Sequence, residues 1–264
     1  RKYMMERFLE RVSQSRYNAS FILKGGMLVS AFVGAEARAT MDIDTTIKGI
    51  PVTISDMRNA ITEISNICLD DNVTFNIKKV SEIMDEAEYS GIRFSMDAVL
   101  DGAVIPLKID ISTGDVITPR EILYSYKLMF EDRTISIMTY PVETVLAEKL
   151  ETVISRSVTN TRMRDFYDIH LLLKSQKINS NMLALAVERT AKKRGSLSFL
   201  ENTEGVLQEV KSNAEMKRMW NVYQKKFKYA SEYTWDEIML SVRELSLEAK
   251  LDVKKHMSLY DMDI

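Results

Sequence analysis

The placement of proline restricts this chain more than any other feature. All four prolines (Pro51, Pro106, Pro119 and Pro141) fall within the first 141 of 264 residues, together with seven of the nine glycines. Beyond Pro141 only Gly195 and Gly205 interrupt the chain. Both residue types break helices and punctuate turns. The pattern therefore predicts an α+β domain over residues 1–135 followed by a helical domain over 136–264. No internal repeat or low-complexity stretch is present.

Within the first part, residues 3–13 read as a helix with Met4, Phe8, Leu9 and Val12 on one face. Phe21-Ile22-Leu23 is a short apolar entry to Gly25-Gly26, and 27–34 continues as a buried helix. Residues 40–47 alternate as a strand that carries Asp42 and Asp44. A helix over 55–70, with a serine at its N-cap, comes next. Strands are expected over 75–80, 92–100 and 104–111, the last two joined by the hairpin signal Asp101-Gly102. In the second part helices are expected over 142–155, 164–173, 181–191, 205–227 and 235–257.

Apolar residues at 45% and charged residues at 28% describe a globular protein, and no apolar run approaches the ~18 residues that span a bilayer. The first seven residues hold no signal-peptide core, and the opening at Arg1 without an obvious start points to a trimmed sequence. Cys68 is the single cysteine, so neither an intrachain disulfide nor a cysteine-based zinc site can form; a cytoplasmic location is expected. A net charge of −2 exerts no global pull on nucleic acid, so an RNA partner must meet a local basic patch. Lys192-Lys193-Arg194 and the stretch 211–228, with Trp220, Tyr223, Phe227 and Tyr229 interleaved, could supply one. An amphipathic helix whose aromatics face a helical bundle accounts for the same pattern, and is favoured.

A glycine pair lets backbone approach a phosphate, and helix-opening amides face an anion well. Two aspartates one residue apart on a strand point the same way. Asp110 lies in Leu107-Lys108-Ile109-Asp110-Ile111, facing away from the apolar side of that segment. If its strand lay beside Asp42 and Asp44, three carboxylates would converge, and divalent cations would be their natural compensation. Taken alone, Asp42 and Asp44 also read as two solvent-facing acids at a strand edge, and Lys149 as a solvated helical lysine. Arg164-Asp165-Phe166-Tyr167-Asp168 reads as acids complementing a helix dipole over a packed apolar face. His170 reads as a packed histidine, and His256 has no evident partner.

Taken together, Phe21-Ile22-Leu23-Lys24-Gly25-Gly26-Met27-Leu28, Met41-Asp42-Ile43-Asp44, Leu107-Lys108-Ile109-Asp110-Ile111, Ala147-Glu148-Lys149-Leu150 and Arg164-Asp165-Phe166-Tyr167-Asp168-Ile169 resemble the AbiEii/AbiGii toxin family. These are nucleotidyltransferase-like toxins of type IV toxin–antitoxin and abortive-infection systems. The resemblance spans roughly residues 1–173. It implies a polymerase-β-like nucleotidyltransferase core with a mixed sheet, an NTP substrate (GTP or a pyrimidine NTP), Mg2+ or Mn2+, and nucleotide addition to an RNA 3′ end such as that of tRNA. By position, Lys24, Gly25 and Gly26 would bind the nucleotide with Lys149 and Asp168. Asp42, Asp44 and Asp110 would be catalytic and hold metal, and Lys149 and Asp165 would complete the catalytic set. The small polar residue usual after the first glycine is here Gly26, which removes one hydroxyl contact to phosphate. An antitoxin encoded nearby is implied, with no need for direct contact. A small-molecule nucleotidyltransferase or kinase and a non-catalytic GTP-binding protein are the alternatives.

Overall fold

The computed structural model describes residues 1–34, 38–84 and 90–251. It divides into two units. One comprises Arg1–Asp115 and Arg120–Tyr140; the other comprises Val116–Pro119 and Pro141–Ile264. The chain thus passes between them three times.

The first unit is a seven-stranded mixed sheet with three helices. Helix α1 (Lys2–Gln14) leads to β1 (Phe21–Lys24), α2 (Gly25–Val33), β2 (Ile43–Ile47) and α3 (Ile54–Ser65). Three long strands come next, β3 (Thr74–Met84), β4 (Ser90–Leu100) and β5 (Ala103–Thr113), and then the pair β6 (Ile122–Lys127) and β7 (Thr134–Thr139). The strand order is β3-β4-β5-β2-β1-β7-β6. Strand β2 runs parallel to β5, and β1 parallel to β7; the remaining pairs are antiparallel. The β4–β5 turn has Asp101 and Gly102 both at positive φ, 47° and 83°, as a tight two-residue hairpin requires. Ile22, Ile43, Phe94 and Ile109 carry the core across the sheet with no solvent exposure, and Met5 and Phe8 of α1 are buried with them.

Four expectations change. Asp42 sits in a bend just ahead of β2 rather than within the strand. Helix α3 begins at Ile54 and is capped by Thr53, whose side chain accepts from the Asp56 amide, so Ser55 lies inside it. The β6–β7 hairpin occupies a stretch to which the sequence assigned no strand, although Ile135 and Ile137 alternate with polar residues there. The helix expected over 205–227 is two.

The second unit is helical: α4 (Val142–Arg156), α5 (Met163–Ser175), α6 (Ser180–Arg194), α7 (Thr203–Ser212), α8 (Ala214–Lys226) and α9 (Trp235–Glu248). The break between α7 and α8 is made by Asn213, whose side chain accepts from the amides of Glu215 and Met216, satisfying donors that open a new helix. The expected extension of α9 over 252–257, with His256, lies outside the described residues. Leu146, Leu150 and Val153 of α4 meet Phe166, Ile169 and Leu172 of α5 and Ile238, Val242 and Leu245 of α9 in a dry core. The segment 116–119 is tied to α4 by Thr118, whose amide donates to Thr144 Oγ1 and whose carbonyl accepts from it, each at 3.0 Å.

His170 is 2% exposed, with Nδ1 2.7 Å from Ser241 Oγ and its ring edge-on to Tyr233. Burial, and behind it the charge of Lys174, lowers its pKa from 6.5 to about 4. The unfolded chain therefore takes up this proton first as pH falls, so the contribution is complete above pH 6.5 and is lost on the way down to about 4. Calorimetry should show Tm falling more steeply across that window for the wild type than for His170→Gln; equal slopes would mean the imidazole is not held neutral.

Candidate active site

The backbone builds the first centre by register. Lys24 of β1 is paired with Asp44 of β2, Asp44 with Asp110 of β5, and Asp110 with Arg93 of β4. Directly opposed residues lie on the same face, so one row across four strands reads cation, carboxylate, carboxylate, cation. The neighbours that place this row, Ile43, Ile109 and Ile111, are buried and point to the opposite face.

Two carboxylates side by side repel each other, and the structure answers from the row's ends. Arg93 forms a two-pronged contact with Asp110, Nε to Oδ1 at 2.7 Å and Nη2 to Oδ2 at 2.6 Å; this bidentate form is the stronger of the arginine–carboxylate geometries. Lys24 reaches Asp115, just past β5, at 2.5 Å. Asp115 also accepts from Ser112 Oγ at 2.7 Å and Tyr140 Oη at 2.9 Å. Burial works against the Asp115 charge, yet Lys24 and these hydroxyls hold its pKa below the usual carboxylate value.

Asp44 has the opposite balance. Burial first, then the charge of Asp110 and to a lesser degree that of Asp42, raise its pKa, against the Gly26 amide and Lys24. That amide donates to Asp44 Oδ2 at 3.3 Å, so the anion now at the start of α2 is the protein's own carboxylate. Gly25 has φ +62°, and a Cβ there would stand 2.1 Å from Asp44 Oδ2; glycine is required twice over. A Cβ on Gly26 would stand 2.3 Å from Arg38 Nη1 and 2.8 Å from Thr40 Oγ1. Arg38 donates to the Gly26 carbonyl at 3.0 Å. The glycine pair thus makes room for Asp44 and Arg38.

The second centre lies in the helical unit. Lys149 of α4 is 2.7 Å from Asp165 Oδ1 and 2.8 Å from Asp168 Oδ2, both on α5. Asp168 has no solvent exposure. Three residues apart on one helix, the two acids share a face, and together with Lys149 they carry one net negative charge.

The sequence-derived residues are therefore found in two groups. Lys24, Gly25, Gly26, Asp44 and Asp110 are brought together in the first unit, with Asp42 near enough to act on Asp44 electrostatically. Lys149, Asp165 and Asp168 form the group of the second. Sequence reasoning missed Arg38, Thr40, Arg93 and Asp115. Arg38 and Thr40 had a signal, lying just ahead of Asp42; Arg93 and Asp115 had none short of strand pairing.

Oxygen donors of this kind suit a hard divalent cation, and Asp44, whose proton affinity is raised first by burial and then by the charge of Asp110, is the most strained of them. As arranged, Asp110 is in the grip of Arg93. Among the described residues no three Asp, Glu, His or Cys side chains form a group able to hold an ion. Of the three carboxylates expected to hold metal, Asp42 and Asp110 both act electrostatically on Asp44.

The fold, a mixed sheet with a helical unit after it in the chain, is found among solved structures. It is shared with a protein from H. pylori whose crystal structure is described as that of a candidate nucleotidyltransferase, at a TM-score of 0.53 and 17% identity over 97% of this chain and 94% of that one. JHP933 from Helicobacter pylori aligns over 99% of this chain and 95% of its own, with 17% identity and a TM-score of 0.49. No curated protein matches. Residues 7–241 match the family of the nucleotidyl transferase AbiEii toxin of type IV toxin–antitoxin systems, and the chain belongs to that family. Membership implies an NTP substrate and an antitoxin partner. No helix among the described residues is long and apolar enough to cross a membrane.

The raised pKa of Asp44 means that its ionised form costs stability in the folded state, a cost absent at low pH and reached as pH rises through the folded-state pKa. Asp44→Asn keeps an oxygen for the Gly26 amide and removes the charge. Its Tm at pH 7–8 should exceed that of the wild type, by about 2–4 °C per kcal/mol relieved for a domain of this size, and the gain should vanish in acid. An unchanged or lower Tm at pH 8 would show that Asp44 is not strained by its neighbours.

Proposed function

We propose that this protein transfers a nucleotide from an NTP to the 3′ hydroxyl of an RNA, tRNA being the acceptor class that the family resemblance implies. The observation that supports this most is the row Lys24–Asp44–Asp110–Arg93 beside Gly25–Gly26. It concentrates paired carboxylates and flanking cations at the start of α2. A simple binding site for a nucleotide would gain nothing from two acids set against each other.

In the proposed reaction the 3′ oxygen bonds to the α-phosphorus, the bond from that phosphorus to the β-phosphate bridge oxygen breaks, and pyrophosphate leaves. Asp110 takes the hydroxyl proton, with Arg93 fixing the direction in which its carboxylate points. Lys24 and Arg38 contribute positive charge near the triphosphate. A divalent ion held by Asp42 and Asp44 would lower the pKa of the attacking hydroxyl and neutralise the departing pyrophosphate. Within the helical unit, Asp165 and Asp168 position the Lys149 ammonium, the group the resemblance assigns to nucleotide phosphate. The antitoxin encoded beside this chain is proposed to neutralise it, and action on RNA would place both in the cytoplasm.

The test uses total RNA and NTPs labelled at either end. Label from the α-position should appear in RNA with the wild type, and fall at least 100-fold with Asp44→Asn and with Asp110→Asn, both still folded by circular dichroism. Undiminished transfer in either variant would defeat the assignment. Label arriving from the γ-position instead would make the protein a kinase.

A further inference from the structure

The helical unit contains a cleft of about 530 Å3 whose walls come from the start of α5 and one face of α8. Its charged lining is Arg162, Arg164, Arg218 and Lys226, against the single acid Asp165, which is itself paired with Lys149. The N-cap of α5 is Arg162, whose guanidinium cannot accept from the helix-opening amides, so both the dipole and the side chain at this end favour an anion. Phe227, half-buried, closes the wall. The Arg164 guanidinium lies over its ring at 5.3 Å and the Lys226 ammonium at 5.4 Å. Tyr223 and Tyr229 pack against that ring in turn, at 4.8 and 5.4 Å. Two cations are thus held in place on an aromatic support. Trp220 and Tyr223 turn inward and serve the core, so the interleaved stretch divides its labour: aromatics inward, cations outward, and Phe227 at the boundary.

We propose that this cleft receives the single-stranded end of the RNA acceptor, an assignment that rests on the nucleotidyl-transfer reading above. Arg218 and Lys226 are eight residues apart on α8, about 12 Å along its axis. That separation suits two phosphates further apart along a strand more than the contiguous phosphates of one nucleotide. The contact between Arg218 and Glu215 is exposed at both ends and of the weak surface kind, so a phosphate can displace it. An aromatic–guanidinium wall accepts any base by stacking. Asp165 lines the cleft and is paired with Lys149 behind it. The net charge of −2 is no obstacle, because attraction of a strand depends on the local patch.

The experiment measures anisotropy of a fluorescent single-stranded 12-nucleotide RNA and, separately, binding of a fluorescent NTP, using the full chain. Arg218→Glu/Lys226→Glu should weaken RNA binding at least tenfold and flatten the dependence of log K on log salt by roughly 1.4, about 0.7 for each lost phosphate contact. Phe227→Leu should weaken it several-fold. Lys217→Glu, exposed on the same helix but outside the cleft, should bind RNA as the wild type does, and all variants should keep wild-type NTP affinity. Unchanged RNA binding in the double variant would overturn the proposal, as would an equal loss in Lys217→Glu. A parallel loss of NTP affinity would overturn it too, by making the cleft a mononucleotide site. If the expected pattern appears but the wild type labels no RNA, the catalytic reading fails while the RNA surface stands.

Discussion

Two carboxylates held against each other by strand pairing are the constraint around which the first unit is arranged. Asp44 and Asp110 cannot move apart without breaking the β2–β5 ladder, and that ladder is anchored by Ile43, Ile109 and Ile111 in the core. The repulsion is therefore imposed by apolar burial on the other face of the sheet. It is met from within the same row, by Arg93 on one side and Lys24 on the other. What remains falls on Asp44, whose pKa is raised by burial first and by the charge of Asp110 second.

The same economy recurs in the helical unit, where one lysine answers two acids and one of those acids is fully buried. Removing a single member of such a cluster leaves an uncompensated buried charge, which costs far more than the pair contributes. The basic residues that the resemblance assigned to the nucleotide, Lys24 and Lys149, are each engaged by aspartates of their own unit. Those aspartates fix where the ammonium groups stand.

Much of this was legible in the residues. Alternation marked β4 and β5, Asp101-Gly102 marked their turn, and the proline distribution separated an α+β part from a helical one. The glycine pair was found, but its reason differed: Gly25 yields its Cβ space to Asp44, and a contact between residues 19 apart in sequence has no local signature. Arg93 escaped for the same reason, since its role exists only once β4 lies beside β5. The α7–α8 break was hidden because Asn213 ends one helix and starts the next without a proline or glycine. Hairpin β6–β7 was overlooked because its apolar alternation is short and sits where a domain boundary was expected.

The path of the chain between its two units has its own outcome. After β5 the backbone leaves for residues 116–119, returns to lay down β6 and β7, and departs again at Pro141. No single cleavage can release an intact half. Severing at 115 strips the sheet of two strands and bares the hydrogen-bonding edge of β1; severing at 140 leaves residues 116–119, whose Thr118 is bonded to Thr144, attached to the wrong fragment. Such interlacing makes the polypeptide one indivisible heritable module, in which a recombination point would have to respect both excursions to yield two viable pieces.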